Sequence, residues 1–130
     1  MSTKIILVGH GTIGTALLES LTMIMGPQNP DEVVAIEFYM DDSLDILKGN
    51  IEEQIVRIAN EGDHLIVCCD MQGGSPFNAS FLLSKKYPMT IICGMNLPML
   101  LEFVVVKDMY ETKEQVADLV DRSKDTLKVF

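Results

Sequence analysis

The stretch that decides the fold is residues 4–11, with the sequence KIILVGHG. After Lys4 it is continuously apolar through Val8, and such a run predicts a strand buried on both faces. The run ends at two glycines that flank His10, and a helical pattern begins at about Thr12. A histidine between a buried strand and a helix N-terminus is placed for chemistry rather than for core packing.

Composition indicates one soluble domain over residues 1–130. A chain of 130 residues can bury a sizeable core, and its 48% hydrophobic content excludes disorder. No apolar run approaches the roughly 20 residues of a membrane span. The N-terminus lacks the basic stretch and cleavage site of a signal peptide, so a cytoplasmic location is expected.

The charge and the cysteines limit the partners and ligands. With 19 acidic and 10 basic residues the net charge is −9, which argues against nucleic acid or an anionic membrane as the main partner. An acidic chain suits docking to a basic protein surface. Cys68, Cys69 and Cys93 lie in strand-like apolar runs without metal-ligand or CxxC spacing, so we expect buried, reduced thiols and no metal site.

Strand-like and helix-like segments alternate along the chain. The pattern predicts strands at residues 4–8, 33–39, 64–69 and 90–94, and helices at 12–25, 44–61, 75–86, 97–106 and 113–123. Ser75 and Pro76 are expected as the N-cap and first residue of the third helix. This alternation predicts a doubly wound α/β domain, with a mainly parallel four-stranded sheet and helices on both faces.

Three polar residues follow predicted strands, and each lies just past the strand's carboxyl end. They are His10, Asp70 and Asn96. Ligands of open α/β sheets bind beyond the carboxyl ends of the strands, at a topological switch point. We therefore expect the three loops to converge at one edge of the sheet.

The loops suit a histidine that accepts a phosphoryl group. Such a histidine needs one free ring nitrogen and a carboxylate that holds the proton of the other, and Asp70 is the best candidate. Backbone N–H groups at the helix starts after Gly11 and Ser75 are expected to donate to the phosphoryl oxygens. Glycines allow close approach of the backbone. The expected phosphate-binding or supporting residues are Gly11, Gly73, Gly74, Ser75, Asn78 and Asn96.

Other interpretations of the same residues stay open. Asp70 and Ser75 are also the types that shape turns and cap helices. A non-catalytic receiver-like module would need an acidic cluster where His10 lies. A flavodoxin-like module would need a Ser/Thr-rich phosphate loop and aromatics, whereas the chain has no Trp and 6% aromatic residues. A hydrolase using Cys69 or Ser75 would have His10 as its base.

Three segments together resemble the IIA domain of the mannose family of the bacterial sugar phosphotransferase system. They are residues 5–11 (IILVGHG), 70–79 (DMQGGSPFNA) and 94–100 (GMNLPML). The D-x-x-G-G-S-P-x-N-A stretch is much more specific than G-H-G. All three segments occur in order, and the resemblance covers essentially the whole chain.

The resemblance implies a phosphorelay. His10 would be phosphorylated by the phosphocarrier protein HPr and would pass the group to a IIB partner, which phosphorylates a sugar carried by the IIC and IID membrane subunits. Asp70 would orient or polarise His10, and Ser75 would help hold the phosphate. The relay is expected to need no metal or organic cofactor. Because no Ala/Pro-rich linker follows, a freestanding IIA domain is expected.

The resemblance also implies a homodimer in which a C-terminal strand pairs with the sheet of the second subunit. Residues 125–130 are the candidate strand. We further expect Met71, Met95 and Met99 to form an apolar, adaptable rim around His10 for docking both protein partners.

Overall fold

The structure is a computed structural model that describes residues 2–110 and 112–130. Its strands are β1 (Thr3–Val8), β2 (Val33–Ile36), β3 (His64–Cys69) and β4 (Thr90–Cys93). Its helices are α1 (Ile13–Met25), α2 (Leu44–Ile58), α3 (Ser75–Leu83), α4 (Leu97–Val106) and α5 (Lys113–Ser123), with 3₁₀ turns at Lys107–Met109 and Lys124–Thr126. Across this described part of the chain, no helix is long and apolar enough to cross a membrane.

The strands form one parallel sheet in the order β2-β1-β3-β4. At its last residue β1 is in register with both neighbours, because Val8 lies opposite Ile36 of β2 and Cys69 of β3. The chain winds outward from β1 to β2 and then returns to the other side of β1 for β3. The topological switch point therefore lies between β1 and β3, and the predicted doubly wound α/β class is confirmed.

Successive strand residues point to opposite faces, so the sheet buries one apolar layer on each side. On one face Ile5, Leu7, Ile66 and Cys68 pack with residues of α1, α4 and α5. On the other face Ile6, Val8, Val67 and Cys69 pack with residues of α2 and α3. Each fully buried Leu or Ile side chain stabilises the fold by about 1.5–3 kcal/mol, and these layers hold the strand ends in place.

Several element boundaries differ from the sequence-based predictions. The N-cap of α3 is Gly74, and Ser75 is the first helical residue, so the expected Ser75 cap is wrong by one position. The helix ends at Leu83, before the predicted residue 86. Strand β2 ends at Ile36, and the next residues leave the ladder to form a separate bridge at Phe38.

The cysteine prediction holds for two of the three thiols. Cys68 and Cys69 lie in the central strand β3 and are buried. Cys93 is half-buried, so the expectation of burial is wrong there. It ends β4, which pairs with β3 alone among the described strands and therefore lies at an edge of the sheet.

Residues 125–130 do not form a strand within the chain. A 3₁₀ turn covers Lys124–Thr126, and Leu127 is extended at φ −90° and ψ 107°. The side chains of Leu127, Val129 and Phe130 are exposed. Pairing of this segment with a second subunit stays a prediction.

Candidate functional site

The switch point brings His10 into contact with Asp70. His10 follows β1 and Asp70 follows β3, which is the adjacent strand. The ring atom Nδ1 of His10 lies 2.7 Å from Oδ2 of Asp70. The backbone N–H of His10 donates to the same oxygen at 2.9 Å. One carboxylate oxygen therefore holds both the backbone and the ring of His10.

The electrostatics of Asp70 determine which ring nitrogen is free. Burial of the carboxyl group would raise its pKa, but hydrogen bonds from the backbone and ring of His10 and from the Met71 N–H outweigh burial and lower the pKa below its ordinary value. Asp70 is therefore ionised at neutral pH and can only accept hydrogen bonds. The proton of a neutral His10 ring then lies on Nδ1, and Nε2 carries the lone pair.

The free nitrogen faces the start of α3. The His10 side chain is 49% exposed, and the backbone of Gly74 lies against the ring. A β-carbon on Gly74 would lie 2.8 Å from Cε1 and 3.3 Å from Nε2 of His10. Because the first N–H groups of a helix lack intrahelical acceptors and carry partial positive charge, an anion at Nε2 would be stabilised there.

Gly74→Ala is expected to slow any reaction at Nε2 by about 10- to 100-fold, since the new methyl group must displace the ring and small misplacements of reacting atoms are costly. The measurement is the rate of His10 modification. Gly49→Ala in α2 is the matched control, because a β-carbon there meets no atom of the described residues within 4 Å. Equal rates in the two variants would contradict the close approach of Gly74 to the ring.

Gly11 and Phe38 form the opposite side of the site. The N–H of Gly11 donates to the Phe38 carbonyl at 2.6 Å, and the N–H of Phe38 donates to the Gly11 carbonyl at 3.2 Å. Gly11 has φ +58°, a left-handed conformation that favours glycine. Its own N–H is thus used in the fold, and Gly11 shapes the loop after His10.

Sequence reasoning missed Phe38 as part of the site. Its ring lies edge-on to the His10 ring, with centroids 5.9 Å apart and an interplanar angle of 67°. The sequence pattern places Phe38 in the second strand and contains no other indication. Only the adjacency of β1 and β2 shows that residues beyond their carboxyl ends meet.

The other predicted site residues, Ser75, Asn78 and Asn96, lie at or near the starts of helices α3 and α4. Ser75 begins α3 and is half-buried, whereas the Asn78 side chain is exposed one turn later. Asn96 caps α4: its Oδ1 accepts from the Met99 N–H at 3.1 Å, and its Nδ2 donates to the Gly94 carbonyl at 3.2 Å. Phosphate contacts by Ser75, Asn78 and Asn96 stay predictions.

The predicted methionine rim is wrong for two of its three members. Met95 and Met99 are 6% and 2% exposed, because they pack into the core below α4. Met71 is 54% exposed. Other apolar residues are exposed at the same sheet edge, namely Ile13 at the start of α1 and Tyr39 and Met40 after β2.

Cys69 is unsuited to nucleophilic chemistry. Burial raises the pKa of its thiol to about 12, so almost none of the reactive thiolate is present at neutral pH. Burial also raises the pKa of Cys68 far above its usual range. The structure therefore argues against a hydrolase that uses Cys69.

The fold and the site define a class of protein: a doubly wound α/β domain with a half-exposed histidine, oriented by a carboxylate, at its switch point. The EIIA-man family, described as PTS system fructose IIA component, matches residues 4–120, and the chain belongs to this family.

Known relatives cover most of the chain. The PTS system fructose-specific EIIA component of Bacillus subtilis (strain 168) is 29% identical over 127 residues, which span 97% of this chain and 85% of that protein. The sorbose-specific EIIA component of Klebsiella pneumoniae is 31% identical over 100 residues, covering 76% of this chain and 70% of that protein. The crystal structure of phosphotransferase system component EIIA from Streptococcus agalactiae is 30% identical, with a TM-score of 0.86, and the match covers 98% of this chain and 97% of that one.

Family membership confirms the resemblance predicted from the three sequence segments. The chain is a IIA component of the mannose family of the sugar phosphotransferase system, and IIA components are phosphotransferase-type proteins of sugar transport. A IIA component implies interaction with HPr and IIB partners.

Proposed function

We propose that the chain is a phosphoryl carrier in which Nε2 of His10 accepts a phosphoryl group from phospho-HPr and passes it to a IIB partner. The IIB partner serves sugar uptake through the IIC and IID membrane subunits. Residues 1–130 act as one cytoplasmic domain in this scheme. The observation that carries the proposal is the 2.7 Å contact between Nδ1 of His10 and the ionised Asp70, which leaves Nε2 as the nucleophile.

The proposed transfer is a substitution at phosphorus. The lone pair of Nε2 forms the new P–N bond while the bond between phosphorus and the donor nitrogen of HPr breaks, and that nitrogen keeps the electron pair. The Nδ1 proton stays directed at Asp70 and spreads the positive charge that develops on the ring. Discharge to IIB is the same step with His10 as the leaving group.

The loops next to His10 are suited to a transferable phosphoryl group. Residues 9–12 and 70–75 contain no Lys or Arg, so no cationic side chain of these loops would over-stabilise the phosphorylated state. The start of α3 supplies backbone N–H groups, and the Ser75 hydroxyl is proposed to donate to a phosphoryl oxygen. Gly73, with φ +86°, shapes the turn that leads into this helix.

The proposal is tested with phosphoenolpyruvate, the general phosphotransferase proteins and a purified IIB protein. We expect an acid-labile, base-stable adduct of one phosphoryl group, which disappears when IIB is added. A chain that accepts no phosphoryl group would contradict the proposal. Yellow protein carrying a flavin would favour the flavodoxin-like binding module instead.

We propose that both protein partners dock on four exposed apolar residues in the segments that follow β1, β2 and β3, here called the docking rim: Ile13, Tyr39, Met40 and Met71. Each belongs to a turn or helix start at the carboxyl edge of the sheet. The acidic residues Asp41 and Asp42 lie in the same turn as Met40. Together with the net charge of −9, this favours a partner surface that is apolar at its centre and basic at its margin.

Met40→Glu is expected to raise the KM for phospho-HPr by about tenfold with little change in kcat, because it removes docking contact without touching the reacting atoms. The Met40 side chain is 99% exposed, so the fold should be unaffected. Met23→Glu is the control: this side chain is 89% exposed but lies near the far end of α1. Equal KM values for both variants would overturn the docking rim.

We also propose a homodimer in which residues 125–130 pair with the sheet of a second subunit. The edge position of β4 and the exposed, alternating Leu127 and Val129 support this arrangement. The mass in solution of the full chain and of a chain ending at residue 124 tests it. A monomeric full chain would contradict the dimer.

A further inference from the structure

The His10 ring is held at one atom by Asp70 and needs a second constraint to keep its orientation. A hydrogen bond at Nδ1 limits one atom, whereas the torsion about the ring bond of a histidine is broad. The ring is also half exposed, with a side-chain exposure of 49%, so the core does not enclose it. Gly74 lies against the ring with its backbone only.

Phe38 supplies a side-chain wall for this ring. The centroid distance of 5.9 Å and the angle of 67° fall within the edge-to-face geometry that aromatic rings prefer. Phe38 is itself half-buried and packs against the core on the α2 and α3 face. The Phe38 ring is therefore held by the core on one side and contacts the imidazole on the other.

The backbone of Phe38 is fixed as firmly as its ring. The two hydrogen bonds with Gly11 tie it to the residue that follows His10. The next turn is closed by Asp42, because the Tyr39 N–H donates to Oδ2 of Asp42 at 2.9 Å and the Asp42 N–H donates to the Tyr39 carbonyl at 2.9 Å. Because both the ring and the backbone of Phe38 are held in place, Phe38 restricts the rotation of the imidazole. Its ring has no polar atom that could bind Nε2.

We propose that Phe38 is a positioning residue, which holds the His10 imidazole so that Nδ1 stays on Asp70 and Nε2 faces the incoming phosphorus. This inference rests on the proposed function. Without the ring of Phe38, the imidazole samples orientations in which the bond to Asp70 is broken and Nε2 is misdirected. In each such orientation the proton is no longer held on Nδ1, and Nε2 no longer points at the phosphorus atom that it attacks.

The test compares Phe38→Leu with Phe38→Tyr and with Tyr87→Leu. Phe38→Leu keeps an apolar side chain but loses the aromatic edge contact, and Phe38→Tyr restores it. Tyr87 is a matched control, since it is half-buried against the same core but lies after α3. We expect Phe38→Leu to lower kcat for phosphorylation about two- to tenfold with KM unchanged, and Phe38→Tyr to recover it.

A second measurement separates positioning from mere structural support and does not require phosphoryl transfer. In wild type, the ¹⁵N resonances of the His10 ring are expected to show one tautomer, with the proton on Nδ1, and in Phe38→Leu they should average between two. Wild-type resonances in a folded Phe38→Leu variant would overturn the proposal, as would an effect confined to KM. If wild type itself is never phosphorylated, the proposed function fails, and the ¹⁵N measurement still decides the role of Phe38.

Discussion

His10→Gln is expected to abolish phosphorylation of the chain, with a loss of more than about 10⁴-fold in the rate of transfer. An amide side chain has no basic nitrogen to form the P–N bond, so no covalent intermediate can accumulate. The measurement is the incorporation of labelled phosphoryl group from phosphoenolpyruvate in the presence of the general phosphotransferase proteins. His10 is half exposed, so the substitution should leave the fold intact.

His64→Gln is the natural control, because the sequence has only two histidines. His64 begins β3, at the opposite edge of the sheet from His10. Its Nε2 lies 3.0 Å from the Thr90 hydroxyl and its Nδ1 lies 3.4 Å from the Tyr110 carbonyl. This variant should be labelled like wild type. Full labelling of His10→Gln would show that the phosphoryl group lies elsewhere.

Asp70→Asn is expected to slow phosphoryl transfer by about 10²- to 10⁴-fold. The asparagine side chain can turn its NH₂ group toward Nδ1 of His10, so that Nδ1 accepts a hydrogen bond. The ring proton then lies on Nε2, and Nε2 no longer has the lone pair that attacks phosphorus. The lost carboxylate charge also leaves the developing imidazolium without a counterion. Single-turnover rates with phospho-HPr measure this effect apart from later transfer to IIB. A rate within twofold of wild type would show that Asp70 does not set the tautomer.

The same carboxyl group links stability to pH in a defined direction. The pKa of Asp70 is lower in the folded protein than its ordinary value of 3.8, because the hydrogen bonds from His10 and Met71 outweigh the effect of burial. The stabilisation is therefore complete above the ordinary pKa and is lost as the pH falls through the folded pKa. The difference in free energy of unfolding between wild type and Asp70→Asn should shrink in acid.

Asp63→Asn is the matched control for lost stability. Asp63 accepts hydrogen bonds from the Ser2 N–H at 3.0 Å and the Asn60 N–H at 2.9 Å, and these bonds lower its pKa in the same direction as that of Asp70. It precedes β3, at the amino edge of the sheet. The variant should lose stability at neutral pH and still transfer phosphoryl groups at the wild-type rate. If phosphoryl transfer were slowed equally in Asp63→Asn and Asp70→Asn, the slower transfer of Asp70→Asn would be due to lost stability alone.

Much of the fold could be predicted because its determinants are local. The bounds of β3, α4 and α5 agree with the prediction, since apolar runs and capping residues define them. In α5 the Thr112 cap is completed by Gln115, three residues later. The end of β2 could not be predicted, because the bridge from Phe38 to Gly11 joins residues 27 positions apart through the pairing of β1 with β2.

The sequence alone determined that His10, Asp70 and Asn96 follow strands of a parallel sheet, and it contained the three segments of the mannose-family IIA component. Strand periodicity and motif spacing depend on residues that are close in sequence, so they can be recognised from the sequence alone. The tertiary structure decided which of these residues meet. The order β2-β1-β3-β4 places Asp70 on Nδ1 of His10 and Phe38 beside its ring, whereas Asn96 caps α4. The free nitrogen of His10 follows from these distances and from the carboxylate of Asp70, whose pKa the hydrogen bonds of the folded chain lower against the effect of burial.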